Sequence, residues 1–399
     1  MEAGWKNDQE LAEGMRNFVR QNIKRAEMLD FLQRDYTCYK WSLPTLDRRM
    51  RHFGIDYIDE TVDVEDVQCA IRAELEGPGQ LLGYRAMSQK LRVHHDIKVP
   101  RRLVNNILSD IDSEGVAKRS LHKKRKREKT HFTSKGSLQV VSVDGHDKLC
   151  GYQNWTFPLG VYGFIDTFSR KILALSFVVS NSDPLVIGQL YTDLLHKMKL
   201  APRFLRMDKG TETGKMATIH TYLMSQNDIF EDPLDSIAYG PSTSNKIERW
   251  WRDLHERLEK YFKTQLKELL QEQEYDPHNY SHRKIMAYVY LPIMQRECNI
   301  FVDMWNNHRI RGQKDLQLPT GIPNHMFSFP ERYGAESMGI PISNEQLVEV
   351  AELSGIETAQ SEFIEDELKQ ALMAKIPNPE EILSKDAKNS YLFLKQNTL

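Results

Sequence analysis

The chain has 399 residues, 28% of them charged and 40% hydrophobic, with a formal net charge of −2. That length exceeds the ~100–200 residues of one domain, so two or three domains are expected, at least one of them with a full core. No run of about 20 apolar residues and no signal-peptide pattern occurs, which argues against membrane insertion and secretion and leads us to expect a soluble intracellular protein.

Four cysteines, Cys38, Cys69, Cys150 and Cys298, lie far apart with no C-x-x-C pair. This spacing argues against a disulfide framework and against a Cys/His zinc site, and reduced, mostly packed thiols are expected. The small net charge hides an asymmetry. HKKRKREK (His122 to Lys129) is densely basic, while EVAELSGIETAQSEFIEDELKQ near the end is acidic.

In chain order, Leu11, Met15, Phe18, Val19, Ile23, Ala26 and Phe31 recur at helical spacing and predict one or two amphipathic helices over residues 8–35. In SLPTLDRRMRHFGID, Ser42 and Pro44 open a short basic helix. GYRAMSQKLRVHHDIKVPRRLVNNILSDID reads as a helix-turn-helix. One helix ends near His95, a turn passes through Asp96 to Val99, and Pro100 opens a second helix carrying Arg101, Arg102, Asn105 and Asn106. The second helix is the one offered to DNA; a three-helix structural domain with a solvated basic face is the alternative.

KRSLHKKRKREKTHFTSKGS is basic and aperiodic, hence a linker, with Lys123, Lys124 and Arg125 as phosphate contacts. The same run also reads as a nuclear-localisation signal or as solvated charge. Beyond it the pattern changes. SLQVVSVDG, PLGVYGFIDTFSR and KILALSFVVS predict three strands, the last two a hairpin, and DPLVIGQLYTDLLHKM a helix behind an Asp cap. APRFLRMDKG predicts a fourth strand, followed by a helix to about Ser225, a short strand DSIAYGP and a long amphipathic helix from near Ser244. Three strands, then helix, strand, helix, strand, helix describe an α/β layer around a mixed sheet.

Three acids stand out: Asp144 at the end of the first strand, Asp208 at the end of the fourth, and Glu248 in STSNKIERWW on the closing helix. If the two strands are adjacent and parallel, their carboxylates converge and the helix supplies the third. Hard oxygen donors of this kind suit Mg²⁺ or Mn²⁺, and two such ions serve in-line phosphoryl displacement. Each acid alone reads equally as a surface or capping carboxylate. Asp166 is expected to support the hairpin, Asp147 to be a loop residue, and Glu212 either to shape its loop or to approach a metal.

The order strand-Asp, strand-Asp, helix-Glu, with DKGTET after the second acid and SNKIERWW around the third, resembles the catalytic core of DDE integrases and transposases. The likeness covers residues 138–265, and WNNHRIRGQKDLQLPTGIP together with the upstream helix-turn-helix extends it to about 40–325. Within the family it looks similar to integrase-core proteins of animal genomes derived from mobile elements. The resemblance implies a ribonuclease H-like core, a mixed five-stranded sheet flanked by helices, with an N-terminal all-α helix-turn-helix region and a C-terminal helical tail. It implies Asp144, Asp208 and Glu248 as the metal-binding catalytic triad, Mg²⁺ or Mn²⁺ as cofactor with two ions, DNA as partner, a dimer or tetramer, a nuclear location, and no small-molecule substrate. Two departures stand out. Lys209 follows Asp208 where many relatives have Asn or Ser, and no His-His-Cys-Cys zinc module is present.

Around the triad, Ser242, Thr243 and Ser244 suit a helix N-terminus facing phosphate. Lys246, Arg249, Arg252 and the His308-Arg309-Ile310-Arg311 segment are candidate phosphate contacts. Glu248, Arg252 and His255 share one helical face and are expected to look toward one substrate. One of Trp250 and Trp251 is expected in the core, while the other is free to cover a partner or stack a base. The expected organisation is a helical region at 1–60, the helix-turn-helix at 61–120, the linker at 121–137, the core at 138–265, its helical extension at 266–330, and an acidic tail at 331–399. Two further readings stay open: a domesticated nucleic-acid-binding host protein without strand transfer, and a protein-interaction scaffold.

Overall fold

The computed structural model describes residues 4–120, 134–146, 148–227, 229–240, 247–311, 318–356 and 363–398, without the side chains of 117, 118, 120, 248 and 249. The chain divides into two compact units. One is Met1–Lys129 with Asp303–Arg311 and Thr320–His325, and the other is Thr130–Val302 with Gly312–Pro319 and Met326–Leu399.

The first unit is built of helices: α1 (Gln9–Arg20), α2 (Arg25–Asp35), α3 (Leu43–His52), α4 (Val64–Leu75), α5 (Tyr84–His94), α6 (Arg101–Ile111) and α7 (Ser113–Ser120). Their starts follow from local chemistry. Asp8 accepts from Leu11 N, Ser42 forms a capping box with Thr45 ahead of Pro44, and Asp63 accepts from Glu65 N. Each such cap satisfies orphan amides and is worth about 1 kcal/mol. The apolar stripes then meet: Leu11, Met15, Val19, Leu32, Leu46, Ile71, Met87, Leu91 and Val104 are all fully buried. Between α5 and α6 the chain reverses at Asp96, which takes a positive φ of 52°. Pro100 stands at the N-cap of α6. A buried arginine, Arg49, sits among the rings of Trp41, Tyr39 and Trp5 at 4.2, 5.1 and 5.4 Å, a cation–π enclosure that lowers the cost of burying its charge.

The second unit holds the sheet. Its elements are β1 (Gly136–Ser137), β2 (Val140–Gly145), β3 (Gly160–Asp166), β4 (Ile172–Val178), α8 (Pro184–Met198), β5 (Leu200–Ala201), β6 (Phe204–Met207), α9 (Gly214–Ser225), β7 (Ile237–Tyr239) and α10 (Ile247–Leu254). A π turn (His255–Glu259) joins α10 to α11 (Lys260–Gln271). There follow α12 (Tyr280–Asn307) and α13 (Pro323–Ser328), of which residues 303–307 and 323–325 belong to the first unit, then β8 (Glu336–Ser337), β9 (Ile340–Pro341), α14 (Asn344–Ser354), α15 (Asp366–Met373) and α16 (Ala387–Thr398). The main sheet has five strands in the order β4-β3-β2-β6-β7. The β2–β3 and β3–β4 pairs are antiparallel; β2–β6 and β6–β7 are parallel. The fold is ribonuclease H-like, a mixed sheet flanked by helices.

Alternation along β2 assigns its two faces. Val141 and Val143 enter a core with Ile187, Tyr191 and Leu195 of α8, Ile219 and Leu223 of α9, and Leu347 and Val350 of α14. Ser142 and Asp144 therefore point to the opposite face. There α10 packs across the sheet, and the reason is a glycine: a Cβ on Gly163 would sit 2.9 Å from side-chain atoms of Ile247 and Trp251. Asp166 closes the β3–β4 hairpin, as expected, accepting from Leu138 N, Ser169 N and Ser169 Oγ at 2.8, 2.8 and 2.5 Å. Cys150 and Cys298 are buried but Cys38 and Cys69 are exposed, so the expectation of mostly packed thiols fits only half of them. No helix among the described residues is long and apolar enough to cross a membrane.

Candidate active site

The parallel β2–β6 pair runs as far as Ser142↔Arg206. Asp144 and Asp208 are each two residues further on, hence on the same face and at the same level of strands spaced ~4.8 Å apart. Asp144 lies opposite Gly163 on β3, and the missing side chain there lets α10 approach. Trp251 Nε1 donates to Asp144 Oδ2 at 2.9 Å. Glu248 follows Ile247 on that helix, one turn before Trp251.

Asp208 is half-buried, and its Oδ1 has no hydrogen-bond partner among the described residues. Burial pushes its carboxyl up from the ordinary range, opposed by the charge of Arg206. The phenol of Tyr162 is pushed well above its usual value, first by burial and then by the charges of Asp144, Glu212 and Asp208. Three carboxylates thus act on one buried hydroxyl. The carboxylate of Glu212 folds over Gly210, where a Cβ would lie 2.0 Å from Oε1. Lys209 carries its amine 5.6 Å from the ring of half-exposed Tyr239 on the neighbouring strand.

Behind Trp251 lies a network that sequence reasoning missed. His146 stacks on Trp251, with ring centroids 5.3 Å apart at 12°. His146 Nε2 lies 3.2 Å from Glu259 Oε1, while Glu259 Oε2 accepts from Cys150 N and faces His255 Nδ1, both at 3.0 Å. Glu259 is fully buried. Burial pushes its carboxyl up, but hydrogen bonds with His146 and His255 outweigh that and hold it below the ordinary value. The π turn places Glu259 inward. π turns inside helices frequently mark functional sites, and here the inserted residue turns a charged side chain toward the sheet.

Several expectations change. His255, at the start of the π turn, has its Nδ1 3.0 Å from Glu259 Oε2. Neither tryptophan is free to stack a base: Trp250 and Trp251 are both buried, the first against Phe301 of α12. Arg309 is held by Glu27 at 2.6 Å within the first unit, so a phosphate would have to compete with that carboxylate. Arg252 is exposed on α10, and Arg101 and Arg102 are exposed on the first turn of α6. Arg249 lies on α10, although its side chain, like that of Glu248, is not described. Lys123, Lys124, Arg125, Asp147, Ser242, Thr243, Ser244 and Lys246 lie outside the described residues. A signal for the missed network did exist in the sequence: the histidine two residues after Asp144, and the tryptophan three after Glu248.

No curated protein matches the chain. A family model described as the integrase core domain matches residues 135–327, the stretch that carries the five-stranded sheet, both strand-end aspartates and α10.

Proposed function

We propose that the protein acts on DNA by metal-dependent phosphodiester cleavage and strand transfer, with Asp144, Asp208 and Glu248 as the catalytic ligands of Mg²⁺ or Mn²⁺, two ions in all. The observation that supports this most is the parallel β2–β6 pair ending at two aspartates on the face covered by α10. The donor set fits such ions. Carboxylate oxygens match hard cations, and a buried unpaired oxygen such as Asp208 Oδ1 costs ~1–3 kcal/mol unless something satisfies it. When bound, a divalent cation supplies Lewis-acid charge to the scissile phosphate.

The chain's own residues provide positioning and charge, the main sources of catalysis in phosphoryl transfer. Trp251 fixes one oxygen of Asp144 and so orients the other. Arg252, with Arg249 and Lys246, would neutralise the phosphates flanking the site, and Arg101 and Arg102 those met by α6. The attacking groups in this reading are water for cleavage and a DNA 3′-hydroxyl for joining. Joining two ends favours a dimer or tetramer, and Lys123, Lys124 and Arg125 fit a nuclear address.

The test is nicking and end-joining of DNA with Mg²⁺ or Mn²⁺, comparing wild type with Asp208→Asn. Activity that needs the metal and vanishes in the variant is expected; equal activity in both would sink the proposal. Salt-sensitive DNA binding without nicking in either protein would leave the non-catalytic, domesticated reading instead.

A further inference from the structure

A second set of ligating side chains lies in the first unit. Glu74 is on the last turn of α4, His94 ends α5, and His95 is its C-cap. Glu74 Oε1 meets His95 Nε2 at 2.7 Å and His94 Nδ1 at 3.3 Å. Its other oxygen, Oε2, meets Lys90 Nζ at 2.6 Å. The two oxygens have separate tasks. Lys90, itself buried, neutralises the buried carboxylate through Oε2, and Oε1 is left facing two imidazole nitrogens.

We propose that Glu74, His94 and His95 form a zinc site, with solvent as the fourth ligand, that fastens the end of α5 and hence the turn into α6. The three ligand atoms lie within 4.8 Å of one another. Tetrahedral zinc with bonds of about 2.0–2.2 Å needs donors roughly 3.3 Å apart. The Glu74–His94 separation has that value already, and the Glu74–His95 separation of 2.7 Å has to open by about 0.6 Å. Two imidazoles and one carboxylate make a borderline donor set that favours zinc over the hard ions suited to an all-carboxylate centre. Both α4 and α5 end at this point, and their C-terminal carbonyls carry partial negative charge that favours a cation. His94 is half-exposed, which gives the ion a route in and leaves room for water. A purely hydrogen-bonded cluster would need a proton on each nitrogen facing Oε1; zinc takes the place of those protons and releases any it displaces.

The chelator-stripped full chain is titrated with Co²⁺, a visible stand-in for Zn²⁺, in excess Mg²⁺ to occupy hard-oxygen sites. One equivalent should produce the absorption of tetrahedral cobalt and lose it on addition of Zn²⁺. His94→Ala removes a half-exposed side chain and should fold; it should weaken Co²⁺ at least about tenfold, the low end of what even outer-shell changes cost, and His95→Ala should do the same. His196→Ala, on the exposed side of α8, should bind as wild type does. Asp144→Asn should also keep the band, so the outcome is independent of the strand-end aspartates. Wild type without the band, or His94→Ala and His95→Ala binding Co²⁺ as tightly as wild type does, would overturn the proposal.

Discussion

At the scale of single residues, Trp251 ties the helix to the sheet by two different means. Its ring fills the space above Gly163, and its N–H holds Asp144. Trp251→Phe removes the donor together with part of the indole, whose Cη2 is the atom that meets Gly163. We expect a stability loss of about 1–3 kcal/mol, because one net hydrogen bond and part of the buried ring are lost. Metal-dependent nicking should fall ~10–100-fold, as for other groups that orient a metal ligand, and the Mn²⁺ titration should weaken in parallel. Equal loss in Trp250→Phe, whose ring touches Phe301 instead, would assign the effect to packing. The aspartates themselves were legible because each acid follows a short apolar strand. Glu259 was not: it reaches His146 from a π turn whose register no period of 3.6 anticipates. Glu212 could be placed only as far as its loop, since its fold-back over Gly210 is a local backbone matter.

At the scale of elements, the packing of α8 on α9 encloses a histidine. His220 is fully buried in α9, with Nδ1 2.7 Å from the Tyr191 hydroxyl of α8. Burial pushes its pKa down to about 3. The folded value lies below the unfolded one, so above pH ~6.5 both states are neutral and the residue has no pH-linked cost. As pH falls below that, the unfolded chain binds a proton that the folded chain refuses, and stability drops by up to ~1.4 kcal/mol per pH unit until about the folded pKa. Urea unfolding of wild type and His220→Gln at pH 7, 6, 5 and 4 should show a shallower acid loss in the variant. Parallel curves would contradict this. The π turn predicts a second effect. Glu259→Gln leaves buried donors with a poorer acceptor, and should cost about 1–3 kcal/mol, visible as a lower melting temperature. Elements with strong internal periodicity, α1, α8, α9 and the strands of the main sheet, were readable in advance because burial on one face sets their pattern. The two-residue strands β1, β5, β8 and β9 were not, since each exists only through a distant partner: β1 with β8, and β5 with β9.

At the scale of the whole molecule, contiguous stretches of sequence do not coincide with compact units. The helix-rich first unit takes in Asp303–Arg311 and Thr320–His325, far along the chain. These segments are joined to α2 by specific pairs. Arg309 meets Glu27 at 2.6 Å. His325 Nε2 meets Asp30 Oδ2 at 3.0 Å with both side chains largely buried, and its ring lies edge-on to Phe31 at 5.5 Å. Segmentation by composition cannot find such a return, because the residues that come back carry no signature except their partners. A fragment ending at residue 129 would uncover Phe31 and leave Asp30 and Glu27 without these partners. Removing one partner of a buried hydrogen bond costs about 1–3 kcal/mol, a sizeable share of the ~5–15 kcal/mol that holds a domain together. We therefore expect residues 1–129 alone to melt well below the corresponding transition of the full chain. Within the full chain, His325→Ala should lower that transition by itself, and Asp30→Asn combined with it should add little, since the two groups act as one pair. Additive losses in the double variant would show that Asp30 and His325 stabilise the unit through separate contacts.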